Sequence, residues 1–165
     1  MTMKIEPIYK SDVLSVIDLI KEAFVESIAP TWSDDAIDVF ITTDLSEAKM
    51  LTLITAGHIC LKAVEGSVVL GVLIFSSSSK LAHLFVKPSE YKKGIARNLF
   101  SAAIRLVDEN TEYISLTSTD FAVSAYEKIG FQKSASAFKF NGCVFQPMVY
   151  WLGNFRLAGK VELIS

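Results

Sequence analysis

Apolar residues recur every three or four positions through the first third of the chain and then run almost unbroken through its middle, so helices give way there to a buried sheet. After a first strand over residues 3–9, a helix is predicted from Ser11, with Val13, Val16, Ile17, Ile20 and Phe24 at helical spacing and Pro30 as its end. Ser33 and Ser46 each stand as an N-cap ahead of a further helix. The first carries Ile37, Phe40 and Ile41 on its inner face, and the second runs through Ile54. Strands are predicted over 58–65, 67–76 and 80–87, joined by a Glu-Gly-Ser turn and a serine run. The middle one is apolar from Val68 to Phe75, as a strand covered on both faces would be.

Beyond residue 94 the pattern predicts a long helix with Ala96, Leu99, Phe100, Ala103 and Val107 on one face, followed by a strand over 112–118. A short helix then has Thr119 or Asp120 as its N-cap and Gly130 as its stop. Strands over 131–140 and 143–152 form a hairpin about Asn141-Gly142. One domain is expected over 1–152. Residues 153–165, with Leu157, Val161 and Leu163 alternating, are expected to be a tail or a dimer contact.

A chain of 165 residues can bury a sizeable core. Its 51% hydrophobic content and mean hydropathy of +0.39 raise the question of a membrane span. The uncharged stretch over 67–79 is shorter than the roughly 18 apolar residues a spanning helix needs. No basic region followed by an apolar run opens the chain, and Cys60 and Cys143 are too few for a disulfide framework, so the expected location is cytoplasmic. A net charge of −2 argues against a general nucleic-acid binder.

The basic residues that matter are local. From Leu84 to Arg97 an apolar strand passes through a proline-marked loop into a helix start that carries Lys92, Lys93, Gly94, Ala96 and Arg97. A helix N-terminus offers unpaired N–H groups and partial positive charge, small residues let an anion approach, and the three cations suit phosphate. A second segment, Ala122, Tyr126, Glu127, Lys128, Gly130 and Phe131, follows it in order.

Together the two segments resemble the GNAT superfamily of acetyl-CoA-dependent N-acyltransferases. Its first motif is Val-x-Pro, then Gln or Arg, two residues, Gly, any residue, and Gly or Ala. Val86, Pro88, Gly94 and Ala96 fall in register with it. The second motif, Ala-x-x-x-Tyr-Glu-Lys-x-Gly-Phe, is matched from Ala122 to Phe131. Tyr91 stands where the family usually has Gln or Arg, Lys92 where it has its first glycine, and Ala82 where an acidic residue often sits.

The resemblance implies an α/β (α+β) fold with a mixed, mostly antiparallel sheet of six or seven strands, flanked by helices and splayed at its centre. It implies that Phe85, Val86 and Lys87 line the slot between the splayed strands. Lys92, Lys93, Gly94, Ile95, Ala96, Arg97 and Thr119 are then expected to hold acetyl-CoA as co-substrate. A primary amine of a small molecule or peptide would attack the thioester, and Tyr126, a phenol with pKa about 10, would protonate the leaving thiolate of a thiol nearer about 8.5.

The base that frees the amine is open between two groups. Asp18, Glu22 and Glu26 recur every fourth residue, which reads either as a solvated face or as an acidic wall for a cationic amine, with Glu22 as one candidate base. His83 is the other, unless hydrogen bonds hold it in the sheet; His58 reads as structural. Trp32, Phe24, Phe40 and Phe138 read as core or as an aromatic substrate pocket. No His, Cys and Asp set has metal-ligand spacing, so no metal is expected, and no membrane or nucleic-acid partner either. The rival expectations are a CoA-binding sensor with weak or no catalysis and a domain for another nucleotide.

Overall fold

The computed structural model describes residues 2–153; the expected tail lies outside the described residues save for Gly153. Strand β1 (Lys4–Pro7) is followed by a 3-10 turn (Lys10–Asp12), helix α1 (Val13–Ser27) and a second 3-10 turn (Ala29–Thr31). Helix α2 (Asp34–Val39) and helix α3 (Glu47–Thr55) come next. Strands β2 (Cys60–Glu65), β3 (Val68–Phe75) and β4 (Leu81–Val86) lead into helix α4 (Ile95–Ile104). The chain continues with β5 (Tyr113–Thr119), α5 (Val123–Ile129), β6 (Gln132–Lys133), β7 (Phe138–Phe140) and β8 (Cys143–Trp151).

The first four strands form one antiparallel sheet in the order β1-β2-β3-β4; in the second sheet β5, β6 and β7 all pair with β8. The two sheets meet at a single parallel bridge, Lys80↔Ser115, where the Ser115 N–H donates to the Ser79 carbonyl at 2.9 Å. That bridge makes the sheet mixed, and the lack of any β4–β5 ladder beyond it is the expected central splay. The expected hairpin strand over 131–140 is two short strands, β6 and β7, so the described residues hold eight strands rather than seven. The Gln146 side chain donates to the Ala135 carbonyl at 2.8 Å, which ties down the break between them.

The apolar run of β3 is central as expected, buried from Leu70 to Phe75. One of its faces packs under α1 and α3, with Val16, Leu19, Ile20 and Met50 against Val72 and Ile74. The other packs under α4, where Leu99, Phe100 and Ala103 meet Leu73 and Phe75 and continue onto Ile114, Leu116 and Met148 of the second sheet. Gly71 permits this approach: a Cβ there would lie 2.9 Å from Ile95 Cγ2 and 3.1 Å from Leu99 Cδ1.

Several expected elements are shorter. Helix α4 ends at Ile104, and its buried face is Ile95, Leu99, Phe100, Ala103 and Ile104 rather than one reaching from Ala96 to Val107. The acidic Asp108-Glu109 pair that follows is unfavourable at a helix C-terminus. Ser33 and Ser46 are side-chain N-caps, accepting from the Ala36 and Lys49 N–H groups at 3.2 Å. Helix α2 nevertheless widens into a π turn over Phe40–Asp44, closed by Leu45 N–H to Phe40 O at 2.9 Å, so Phe40 and Ile41 leave the α-helical register. Thr119 caps a 3-10 turn (Asp120–Ala122), and α5 begins one turn later, at Val123. His58 precedes β2, exposed, instead of opening it. No described helix is long and apolar enough to cross a membrane.

Candidate functional site

The loop between β4 and α4 is shaped by its backbone. The Lys87 N–H donates to the Leu70 carbonyl at 2.8 Å, a 3-10 turn over Pro88–Glu90 reverses the chain, and Lys92 and Gly94 take left-handed conformations with φ of 66° and 81°. Helix α4 then starts, and its first bond runs from Asn98 N–H to Gly94 O at 3.0 Å. Consequently the backbone N–H groups from Lys92 through Arg97 donate to no protein acceptor among the described residues. Such consecutive free amides at the positive end of a helix form an anion-binding concavity. The Ile95 side chain is buried against β3, so this residue can serve a ligand only through its N–H.

The cations around the loop are mostly engaged. Lys93 Nζ lies 2.8 Å from Glu90 Oε2, Lys87 Nζ 3.4 Å from Glu22 Oε2, and Arg97 Nη2 donates to the Lys128 carbonyl at 2.7 Å. Only Lys92, of these four, has no partner among the described residues. The Arg97 contact joins the first turn of α4 to the last turn of α5.

In the gap between β4 and β5, strand geometry decides which groups are free. Lys87 bonds toward β3, and since successive residues point to opposite edges, the peptide groups of Val86 and Leu84 face the gap, where no β5 ladder meets them. The Val86 and Leu84 side chains pack on the α4 core, while Phe85 turns to the α1 and α3 core. At the end of β5, Thr119 Oγ1 is buried with no hydrogen-bond partner among the described residues. A hydroxyl left so costs free energy that a polar ligand group would recover.

Tyr126 sits half-buried on α5, its ring edge-on to Phe131 at 5.5 Å, and its hydroxyl makes no protein hydrogen bond among the described residues. Burial pushes its pKa above the ordinary phenol value, so it remains a proton donor at neutral pH. Gly130 fixes the helix end at φ 123°, donating to the Tyr126 and Glu127 carbonyls at 3.1 Å; a Cβ there would lie 2.9 Å from Tyr150 Cε2.

The two candidate bases differ. Glu22, with Asp18, Ser15, Ser67, Val69 and its ion-pair partner Lys87, lines a shallow open cavity of about 220 Å³ on the exposed face of α1. His83 lies on β4, paired with Ile74 in the ladder, and its imidazole makes no hydrogen bond among the described residues. Burial lowers its pKa to about 4, the Asp44 charge opposing and the Lys49 charge adding. The imidazole is therefore neutral at physiological pH, available as an acceptor but a weak one.

Phe24 is buried, whereas Trp32 is partly exposed; it stands edge-on to Phe24 at 5.2 Å and to Phe145 at 5.8 Å. Phe145, which the sequence reading did not single out, is the register partner of Thr119 and stacks at 5.8 Å on Phe138. Its signal was the hairpin register itself, which, counted outward from Asn141-Gly142, sets Phe145 opposite Phe138. Cys60 and Cys143 are free and buried. Among the described residues no cluster of three or more His, Cys, Asp or Glu side chains could hold a metal ion.

A family model described as an acetyltransferase (GNAT) domain matches residues 28–152. The N-acetyltransferase YitH of Bacillus subtilis, itself uncharacterised, is 28% identical over 107 residues. That alignment takes in 63% of this chain but only 38% of the relative's length. The PaiA N-acetyltransferase of Thermoplasma acidophilum, solved in complex with coenzyme A, superposes with a TM-score of 0.78 at 20% identity, covering 92% of this chain and 99% of that one. The Salmonella typhimurium protein yncA, solved with its cofactor acetyl-CoA, gives 0.70 at 19% identity over 92% and 95%.

Proposed function

The chain belongs to the GNAT family of acetyltransferases, and on that premise we propose that it transfers an acetyl group from acetyl-CoA to a primary amine of a small molecule or peptide by direct attack. The observation that carries this reading is the run of unpartnered N–H groups from Lys92 to Arg97 opening beside the unladdered β4–β5 gap. The residues fit the co-substrate: free amides at a helix start suit a pyrophosphate, and the gap-facing peptides of Leu84 and Val86 suit a polar pantetheine arm. The orphaned Thr119 hydroxyl adds a further polar contact.

Bound there, acetyl-CoA supplies an acetyl group activated as a thioester. The amides of residues 92–97, with Lys92, hold the diphosphate; Lys93 and Arg97 brace the loop through Glu90 and Lys128. The gap-facing peptide groups of Leu84 and Val86 orient the arm, while those of Phe85 and Lys87 bond toward β3 and hold the strand edge in place. Tyr126 gives its Oη proton to the departing sulfur. His83 Nδ1 or Nε2 accepts a proton from the incoming amine in preference to Glu22, whose carboxylate is held by Lys87.

One observation favours the rival, a CoA-binding module: neither candidate base is strong, because Glu22 is ion-paired and His83 has a pKa of about 4. Thermal unfolding with acetyl-CoA, ATP and NAD separates the readings. A ligand at a hundredfold excess over Kd adds roughly 2.7 kcal/mol to apparent stability. An acetyl-CoA shift with amine-dependent release of CoA thiol, largely lost in Tyr126→Phe, is the expected result. A shift without turnover on any amine leaves the binding module, and a shift with ATP or NAD alone overturns both.

A further inference from the structure

Trp32, Phe145 and Phe138 form a half-exposed aromatic band outside both apolar cores, running from the segment after α1 to the β7–β8 hairpin. Phe138 is 45% exposed, although burial would stabilise a ring of that size by about 2 kcal/mol. The band starts beside the proposed reaction slot, since Phe145 pairs across the ladder with Thr119, whose buried hydroxyl has no partner. Its far side is braced by Phe24 and Phe40 behind Trp32, at 5.2 and 6.0 Å, so the ring is held in place.

Charge around the band is one-sided. Residues 22–48 carry seven acidic residues and no Lys, Arg or His; Glu22 and Asp44 among them are ion-paired to Lys87 and Lys49, which leaves five. Among them Asp34, Asp35 and Asp38 directly follow Trp32 and are exposed. Across the band, residues 134–152 carry Lys139 as their sole charge. A cation is drawn toward the first wall and an apolar body toward the second, and aromatic ring faces themselves attract ammonium groups.

Resting on the acetyltransferase reading, we infer that the acceptor is a monoamine carried on an aromatic or branched apolar group, seated on Trp32, Phe145 and Phe138 with its nitrogen at the Thr119 end of the band and the α2 carboxylates drawing the cation in. Polyamines and aminocyclitols, which offer no apolar body, are disfavoured. The acetyl bond forms at the amine nitrogen, the thioester C–S bond breaks, and the amine proton leaves to the base while the sulfur receives one.

The test compares kcat/KM at saturating acetyl-CoA for 2-phenylethylamine, a Phe-Gly peptide amide, spermidine and 2-deoxystreptamine. It adds calorimetric binding of 2-phenylethylamine and the variants Trp32→Ala, Trp32→Phe and Phe138→Ala. At least a tenfold preference for one of the two aromatic amines is expected, and which one tells a free amine from a peptide N-terminus. Trp32→Ala and Phe138→Ala should raise its KM at least fivefold, Trp32→Phe should restore it, and the Tm shift with acetyl-CoA should persist. Equal or better turnover of spermidine or 2-deoxystreptamine, or variants that lower Tm without moving the aromatic amine's KM, overturns the inference while leaving acetyl transfer standing. If acetyl-CoA produces no Tm shift, the parent reading fails, and calorimetry alone then decides: 2-phenylethylamine binding lost in Phe138→Ala supports the aromatic seat, and absent binding overturns it.

Discussion

The Tyr91 hydroxyl lies 2.9 Å from Ser27 Oγ, joining the loop ahead of α4 to the last residue of α1. Five residues beyond Ser27 stands Trp32, so one hydrogen bond links the loop proposed to hold the diphosphate to the segment that begins the aromatic band. Tyr91 occupies the position where the first motif usually has Gln or Arg, and its side chain is spent on this brace.

Tyr91→Phe removes the brace and keeps the ring. The bond is exposed, so the stability change should stay near 1 kcal/mol. The KM for acetyl-CoA should rise roughly two- to fivefold, an energy of the same order. Ser27→Ala should reproduce the effect, and the double variant should add nothing further, as a double-mutant cycle on one contact requires. Additive losses would show that the two hydroxyls act separately.

Gly94 tests the backbone of the loop without steric interference. A Cβ there meets nothing within 4 Å, so Gly94→Ala costs only the left-handed strain at φ 81°, roughly 1–2 kcal/mol. Because that strain is relieved by rotating the free N–H groups away, the Tm shift with acetyl-CoA should shrink well beyond the loss of intrinsic stability. Gly71→Ala offers the contrast: it pushes Ile95 and Leu99 off β3, and overpacking of about 1–3 kcal/mol should appear in urea midpoints first.

The helix caps, the β3 run and the Asn141-Gly142 turn were legible in the sequence because each rests on local chemistry. Ser33 and Ser46 bond their own helices, and Asn141 and Gly142 take the positive φ values of 51° and 77° that a two-residue hairpin requires. The loop from Lys92 to Arg97 was legible for the same reason. What could not be read was long-range partnership: Arg97 with Lys128, Glu22 with Lys87, and Tyr91 with Ser27 depend on how α1 and α5 pack. A run of cations in sequence therefore read as three free charges, whereas the fold ties two of the three to protein partners.

Lys62 gives a stability prediction independent of the site. Its ammonium, buried on β2, lies 2.9 Å from Asp12 Oδ2 and 3.7 Å from Glu6 Oε1. Burial pushes the Asp12 carboxyl up, but the Lys62 hydrogen bond, the Tyr9 N–H at 2.7 Å and the Lys62 charge outweigh it and hold the pKa below its ordinary value. A carboxyl lowered in the folded state stabilises above its unfolded pKa of about 3.9 and loses that contribution as pH falls below it. Asp12→Asn should cost about 2–3 kcal/mol at pH 7, because it leaves the buried cation with only the longer contact to Glu6, and its deficit relative to the parent should narrow in urea melts below pH 4.

His83 and Tyr126 together set the pH behaviour. The His83 pKa, lowered to about 4 chiefly by burial, means the folded state disfavours the proton that the unfolded chain takes up near 6.5. Its contribution to stability is therefore complete above pH 6.5 and is lost between 6.5 and 4, with a slope of at most about 1.4 kcal/mol per pH unit. His83→Gln should flatten that slope in a series of melts. In turnover the same shift removes the histidine inflection expected near neutrality. The raised Tyr126 pKa keeps the acid protonated beyond pH 10. The rate should then climb with pH along the deprotonation of the amine alone and show no descending limb below pH 10. An inflection near 6.5 that disappears in His83→Gln would mean the imidazole is solvated in the working enzyme. A descending limb below pH 10 that Tyr126→Phe abolishes would place the phenol in water rather than against Phe131.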